Sequence, residues 1–163
     1  MAGDEFDLSE FLPYRLAVLT ERVSRRLSVE YERTHGLSVA EWRVLVHLRR
    51  CKAVSVREIH NCVNLEKPRV SRAVTRLESI GLVKKMPSSG DGRLVVISLT
   101  EKGRTAVEEI LPAAKAVQAM LVDGVGRDEI EGFCGVMEKL HALLDADPEA
   151  RPRSRMDVTE RAS

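Results

Sequence analysis

In the stretch LEKPRVSRAVTRLESIGLV, residues 65–83, four cations fall within ten positions: Lys67, Arg69, Arg72 and Arg76. Read as a helix at about 100° per residue, Val70, Ala73, Val74, Leu77 and Ile80 share one face, and Pro68, Arg72, Thr75, Arg76 and Ser79 lie opposite. The apolar face anchors the segment. The other face offers guanidinium forks, whose planar donors match phosphate oxygens and the O6/N7 edge of guanine. Thr75 can reach a base or a phosphate, and Lys67, Ser71 and Arg69 suit backbone contacts. A second cation stands in PSSGDGRLVVISL, residues 87–99, where Arg93 follows two glycines and an aspartate and precedes a run of strand formers. Gly92 lets the chain approach a partner closely. Asp91 would repel phosphate, so it is expected to pair with Arg93 or Arg72 and aim that arginine.

No other chemistry competes. The chain lacks the Gly-x-Ser-x-Gly, P-loop, dinucleotide and HExxH patterns. Its three cysteines, Cys51, Cys62 and Cys134, are odd in number and show neither CxxC nor zinc-finger spacing. His47, Cys51, His60 and Cys62 could cluster, but their spacing matches no recognised metal site. The expectation is no catalytic residue, no metal and no cofactor.

The cations need elements to position them. Ser38 with Glu41, and Ser55 with Glu58, each form a capping box that opens a helix. The first of these helices buries Trp42, Leu45, Val46 and Leu48, and the second Val56, Ile59 and Val63. Pro68 belongs in a first helical turn. Two short helices, a tight turn at Val63–Glu66, and a second helix with arginines outward form a helix-turn-helix. LVKKM and LVVISL flank the glycine turn as a β-hairpin. A hairpin directly after a recognition helix is a wing, and its tip, Asp91–Gly92–Arg93, is placed to enter a minor groove.

Around this motif the pattern is helical. Leu12, Leu16, Leu19, Val23, Leu27 and Tyr31 stripe a helix from Asp7 to about His35, with Gly36 as its C-cap. Thr100 caps a helix striped by Val107, Ile110, Leu111, Ala114, Val117 and Leu121, which Pro112 should kink or break. A last helix, about 128–144, turns Ile130, Phe133, Met137, Leu140 and Leu144 inward. The expected fold is mostly α with a small β-hairpin wing. It divides into an N-terminal dimerisation helix (1–36), a winged helix-turn-helix (37–104), C-terminal dimerisation helices (105–146) and a disordered tail (147–163).

Charge follows the same division. The net charge is +1, yet residues 67–104 hold nine basic and three acidic side chains, an excess of +6. Residues 105–150 hold three basic and ten acidic ones, an excess of −7. A basic middle in a neutral chain points that segment at a polyanion. No run approaches the roughly 18 apolar residues of a membrane span. The acidic start MAGDEFDLSE does not read as a secretory signal, so a reduced cytoplasmic location and no membrane partner are expected.

Taken in order, SVAEWRVLVHL, VSVREI, VSRAVTRLESIGLVKK and DGRLVVISLTEKGR resemble the MarR family of winged-helix transcription regulators. The resemblance spans about residues 10–145, and Asp91–Gly92–Arg93 followed by ISLTEKG is its most specific part. It implies an obligate homodimer with interlocked terminal helices that represses by occupying a palindromic operator in double-stranded DNA. It also implies release by a small ligand bound between the dimer and DNA-binding regions, and a minor-groove role for Arg93. The DNA-contacting set expected here is Ser55, Lys67, Pro68, Arg69, Ser71, Arg72, Thr75, Arg76, Asp91, Gly92 and Arg93.

Many members of that family sense aromatic acids. Such a ligand needs an apolar slot and a cation for its carboxylate. Tyr14, Arg15, Trp42, Arg43 and His47 are the candidates, and an aromatic acid or its CoA thioester is the expected effector. Two other readings stay open: a redox- or metal-responsive regulator of the same fold, and a winged helix used for protein interaction. The second would want an acidic or apolar recognition face, whereas this one is basic.

Overall fold

The structure, a computed structural model, describes residues 6–154. Its elements run α1 (Leu12–His35), α2 (Val39–Arg50), α3 (Val56–Cys62), α4 (Lys67–Ser79), β1 (Val83–Pro87), β2 (Val95–Leu99), α5 (Glu101–Val125) and α6 (Arg127–Asp145). Mostly helical with one hairpin, this is the winged helix-turn-helix read from the sequence, with long helices at both ends.

Helix α1 starts at Leu12, five residues later than Asp7. The Asp7 carboxylate instead accepts from the Ser9 amide at 2.8 Å and the Ser9 hydroxyl at 2.7 Å. That local turn competes with the helix, and Pro13 sets its first turn. At the other end Gly36 takes the left-handed conformation at φ 60°. The Gly36 amide donates to the Glu32 carbonyl and the Leu37 amide to that of Tyr31, which closes the helix end.

Both capping boxes form as read, at Ser38/Glu41 and Ser55/Glu58. The hairpin is antiparallel, in register from Val83 opposite Leu99 to Pro87 opposite Val95. A third segment joins it. Val54, just before α3, exchanges two backbone bonds with Ile97, at 3.1 and 2.8 Å. The wing is therefore stitched to the first helix of the helix-turn-helix as well as to the second.

Helix α5 runs without a break through Pro112. Proline removes one ladder bond. Val107, Ile110 and Val117 on the buried side of α5 lie on both sides of Pro112, which is itself exposed, so packing carries the helix across the gap. Near its start Thr100 caps the helix by accepting from the Gly103 amide at 3.0 Å, and donates to the Gly81 carbonyl at 2.6 Å. A Cβ on Gly103 would overlap the Leu82 carbonyl oxygen, so this contact requires glycine.

The core gathers under the helix-turn-helix. Leu37, Val44, Leu45, Ile59, Val70, Val74, Leu77, Ile97, Val107 and Ile110 are fully buried. Tyr31 stacks on Trp42, with ring centroids 5.3 Å apart and 15° between planes, and so fixes α1 on α2. Helix α6 buries no residue. Phe133 and Leu144, expected inward, are exposed in the single chain. Where a disordered tail is read from Asp147, residues 147–154 fold back along α6. Arg153 bonds Glu138 at 2.9 Å and lies 3.7 Å from Asp145. The rest of that tail lies outside the described residues.

Candidate nucleic-acid interface and effector cleft

Helices α3 and α4 are joined through Asn64, which sits at φ 51°, a left-handed conformation that asparagine tolerates better than most residues. Two side chains brace the turn. His60 Nδ1 lies 2.6 Å from the Leu65 carbonyl, which makes that nitrogen the donor. Arg43 Nη1 donates to the carbonyls of Val63 at 3.5 Å and Asn64 at 3.4 Å. Arg43, a candidate effector residue in the sequence, thus also holds the turn that sets the recognition helix.

On α4 the side chains of Lys67, Pro68, Arg69, Ser71, Arg72, Thr75 and Arg76 are all exposed, while Val70, Ala73, Val74 and Leu77 are buried. Arg76 differs from its neighbours. Its Nη1 donates at 2.9 Å to Glu41 Oε2, the oxygen that also accepts from the Ser38 amide at 2.9 Å. One buried carboxylate therefore closes the α2 capping box and tethers α4. Arg76 thus braces α4 on α2 through one nitrogen, while its side chain stays about half exposed. Ser55 is buried, with its hydroxyl accepting from the Glu58 amide at 3.2 Å and its O–H left to donate.

At the wing Gly90, Asp91, Gly92 and Arg93 are exposed. Asp91 does not pair with a guanidinium. Its Oδ1 accepts from the Arg93 backbone amide at 3.0 Å, and its carbonyl accepts from the Leu94 amide at 2.9 Å. The aspartate shapes the turn and leaves the Arg93 side chain outward. Lys85 bonds Glu78 at 2.7 Å and docks the hairpin on α4. Lys102 donates to the Ile80 carbonyl at 2.8 Å, and Arg104 pairs with Glu101 at 3.2 Å. Among the described residues, the side chains of Lys67, Arg69, Arg72, Lys84 and Arg93 have no ion-pair or hydrogen-bond partner. These five cations sit on α4 and the adjoining hairpin.

Of the effector candidates, Trp42, Arg43 and His47 meet in one cleft. It has a volume of about 680 Å³, and Val46, Cys62 and Val63 supply apolar wall beside Arg49, Arg50, Asn64 and Ser154. Tyr14 and Arg15 are elsewhere, in a shallow depression of about 220 Å³ on α1 with Val18, Leu19 and Arg22. His47 is only 4% exposed. Neither ring nitrogen has a hydrogen-bond partner. Burial holds its pKa below the usual 6.5; Arg50 pushes the same way and Glu58 opposes. Arg49 is engaged with Glu108 at 2.7 Å. Sequence reading missed Val46, Arg49 and Arg50 as cleft residues, although they continue the Trp42 face of α2 at helical spacing. Cys62, Asn64 and Ser154 carried no such signal, because only the tertiary fold brings them there.

Among the described residues no group of three or more His, Cys, Asp or Glu is placed to hold a metal ion. No helix there is long and apolar enough to cross a membrane.

Residues 35–94 match the MarR family model. An uncharacterized HTH-type transcriptional regulator of Bacillus cereus is 31% identical over 119 residues, covering 72% of this chain and 79% of that protein. BpsR of Bordetella bronchiseptica shares the fold with a TM-score of 0.76 at 24% identity, over 87% of this chain and 99% of that one. CouR of Rhodococcus jostii RHA1 does so with a TM-score of 0.70 at 21% identity, over 82% and 94%. The helix-turn-helix, its basic wing and these relatives place the protein: the chain belongs to the MarR family of winged-helix transcriptional regulators.

Proposed function

We propose that this chain represses transcription as a homodimer on a palindromic operator, and that a small anionic aromatic ligand releases it. The observation that carries the DNA contact is the set of unpaired cations Lys67, Arg69, Arg72, Lys84 and Arg93 on two adjacent elements. Helix α4 enters the major groove with Arg72 and Thr75 toward base edges, while Lys67, Arg69 and Ser71 hold phosphates. Arg93 enters the neighbouring minor groove. Gly92 gives the tip room, and Pro68 starts the helix without an amide to satisfy. A mobility-shift titration over a salt series tests this. Arg72→Ala and Arg93→Ala weaken operator binding, Arg93→Ala most at A·T-rich flanks. Unchanged binding by both variants refutes the interface.

Dimerisation is supported by the apolar surface that the single chain leaves open. Phe11, Leu12, Leu19 and Val23 on and beside α1, and Phe133, Val136, Leu143 and Leu144 on α6, are exposed. Apolar surface on this scale marks an interface.

The ligand reading rests on the cleft at Trp42, Arg43 and His47. It offers an aromatic wall, cations and a volume within the usual range of small-molecule sites. DNA binding by BpsR is regulated by 6-hydroxynicotinic acid, and CouR has been crystallised with p-coumaroyl-CoA. Aromatic acids and their CoA thioesters are accordingly the compounds to screen. A compound that both raises the melting temperature and releases the operator identifies the effector. Failure of the whole set removes this ligand class.

A further inference from the structure

We infer that residues 151–154 form a lid on the cleft beside Trp42, held shut by Arg153 on α6, and that opening of this lid governs access to the cleft. Its use as a ligand gate rests on the effector reading of the cleft; its geometry does not. The chain turns back directly after α6. The Asp147 amide donates to the Leu144 carbonyl at 3.1 Å. Asp147 then gathers the residues that follow: its Oδ1 accepts from the Glu149 amide at 3.0 Å, and its carbonyl from the Ala150 amide at 3.1 Å. Beyond this turn, residues 151–154 belong to no helix or strand. They reach from α6 to the helix-turn-helix. Arg151, Pro152, Arg153 and Ser154 share a depression of about 200 Å³ with His60, Asn61 and Asn64, at the end of α3 and in the turn before α4. Ser154 and Asn64 also line the main cleft with Trp42, so the segment supplies part of that cleft's wall.

Charge fastens the segment. Arg153 Nη2 donates to Glu138 Oε2 at 2.9 Å, and Nη1 lies 3.7 Å from Asp145 Oδ2. Glu138 and Asp145 stand two turns apart on one face of α6, so they clasp the guanidinium from the same side. The Arg153 side chain is 16% exposed, while the carboxylates keep 38% and 46% of their surface in water. Ion pairs with partners this wet hold far less than a helix or strand ladder does. A chain end fastened in this way opens readily. That balance suits a lid, which has to cover its site and still open each time the occupant exchanges.

Trp42 supplies the readout, being the single tryptophan of the chain and part of the cleft that the segment borders. Quenching of its fluorescence by acrylamide, a neutral probe, reports access to the ring and not charge. Four proteins are compared: wild type, Arg153→Glu, Arg153→Glu combined with Glu138→Arg, and a chain ending at Ala150. Melting curves and sedimentation first establish that each folds and assembles as wild type does. The changes spare the core, because α6 buries no residue and the shortened chain keeps every helix. Arg153→Glu and the shortened chain each raise the quenching constant about twofold or more, and the swapped pair brings it back toward wild type. Wild-type quenching in both Arg153→Glu and the shortened chain overturns the lid. A raised constant that the swapped pair leaves raised overturns the latch on α6. Failure of every aromatic acid to bind would remove the effector reading and leave the quenching result, and with it the lid, standing.

Discussion

Arg72 and Arg76 lie four residues apart on one face of α4, yet the fold uses them differently. Periodicity places a side chain on a face; it does not name the partner that arrives from elsewhere. Glu41, 35 positions away from Arg76, arrives through the packing of α2 on α4. The two arginines should separate in experiment. On the proposed interface Arg72→Ala, like Arg93→Ala, should remove a contact with the nucleic acid, and where that contact is a phosphate the slope of log K against log salt should fall by about one unit. Arg76→Ala changes the slope less and costs about 1 kcal/mol in denaturant unfolding, because it strips one charged bond from buried Glu41. His47 makes a second prediction at this scale. Its folded pKa lies below its unfolded value, so the unfolded chain binds more protons between the two. Its contribution is complete above about pH 6.5 and is lost as pH falls through that value, levelling off below the folded pKa. Unfolding free energy measured from pH 7.5 to 5 should fall more steeply for wild type than for His47→Phe.

At the scale of elements, local chemistry was legible wherever it acts within a few residues. Both capping boxes, the Gly36 stop, the Thr100 cap and the apolar face of α4 follow from side chains that meet their own backbone or their own helix face. Contacts closed over distance were not legible. Val54 pairs with Ile97 across 43 positions, and no periodicity in a single flanking residue announces it. The absence of a break at Pro112 has the opposite cause: the local rule is sound, but burial on either side of the proline outweighs one lost bond. The Asp91 side chain takes a backbone amide two residues on instead of a guanidinium, the commoner habit of aspartate in turns. Gly103 is where a local and a distant requirement coincide, since it sits under the Thr100 cap and against the Leu82 carbonyl. Gly103→Ala should lower stability by about 1–3 kcal/mol through overpacking, whereas Ser38→Ala should cost about 1 kcal/mol through loss of a cap. Chemical denaturation of the two variants reads both. A neutral Gly103→Ala would mean that the junction of wing and α5 is not closed as the structure has it.

For the whole molecule, burial is uneven. Leu45, Ile59, Val70, Leu77 and Ile97 give the helix-turn-helix and wing a closed core, while α6 buries nothing and leaves Leu143 70% exposed. A helix with one apolar face open gains little on folding alone, so on the proposed assembly the open faces of α6 and α1 are where a second copy should contribute stability. In the proposed homodimer, two protomers related by a two-fold axis should set their α4 helices about one DNA turn apart, roughly 34 Å, so that each binding event engages two half-sites. Because the DNA-binding core is complete within one chain, assembly and folding of that core can be separated. Leu143→Asp combined with Leu144→Asp should shift the protein from dimer to monomer in sedimentation while circular dichroism still reports a folded winged helix. Operator affinity should then fall by orders of magnitude, because two half-sites no longer bind as one unit, with the effective concentration of the second lost. A double variant that stays dimeric, or a monomer that binds the operator as tightly as wild type, would place the dimer contact elsewhere than on α6.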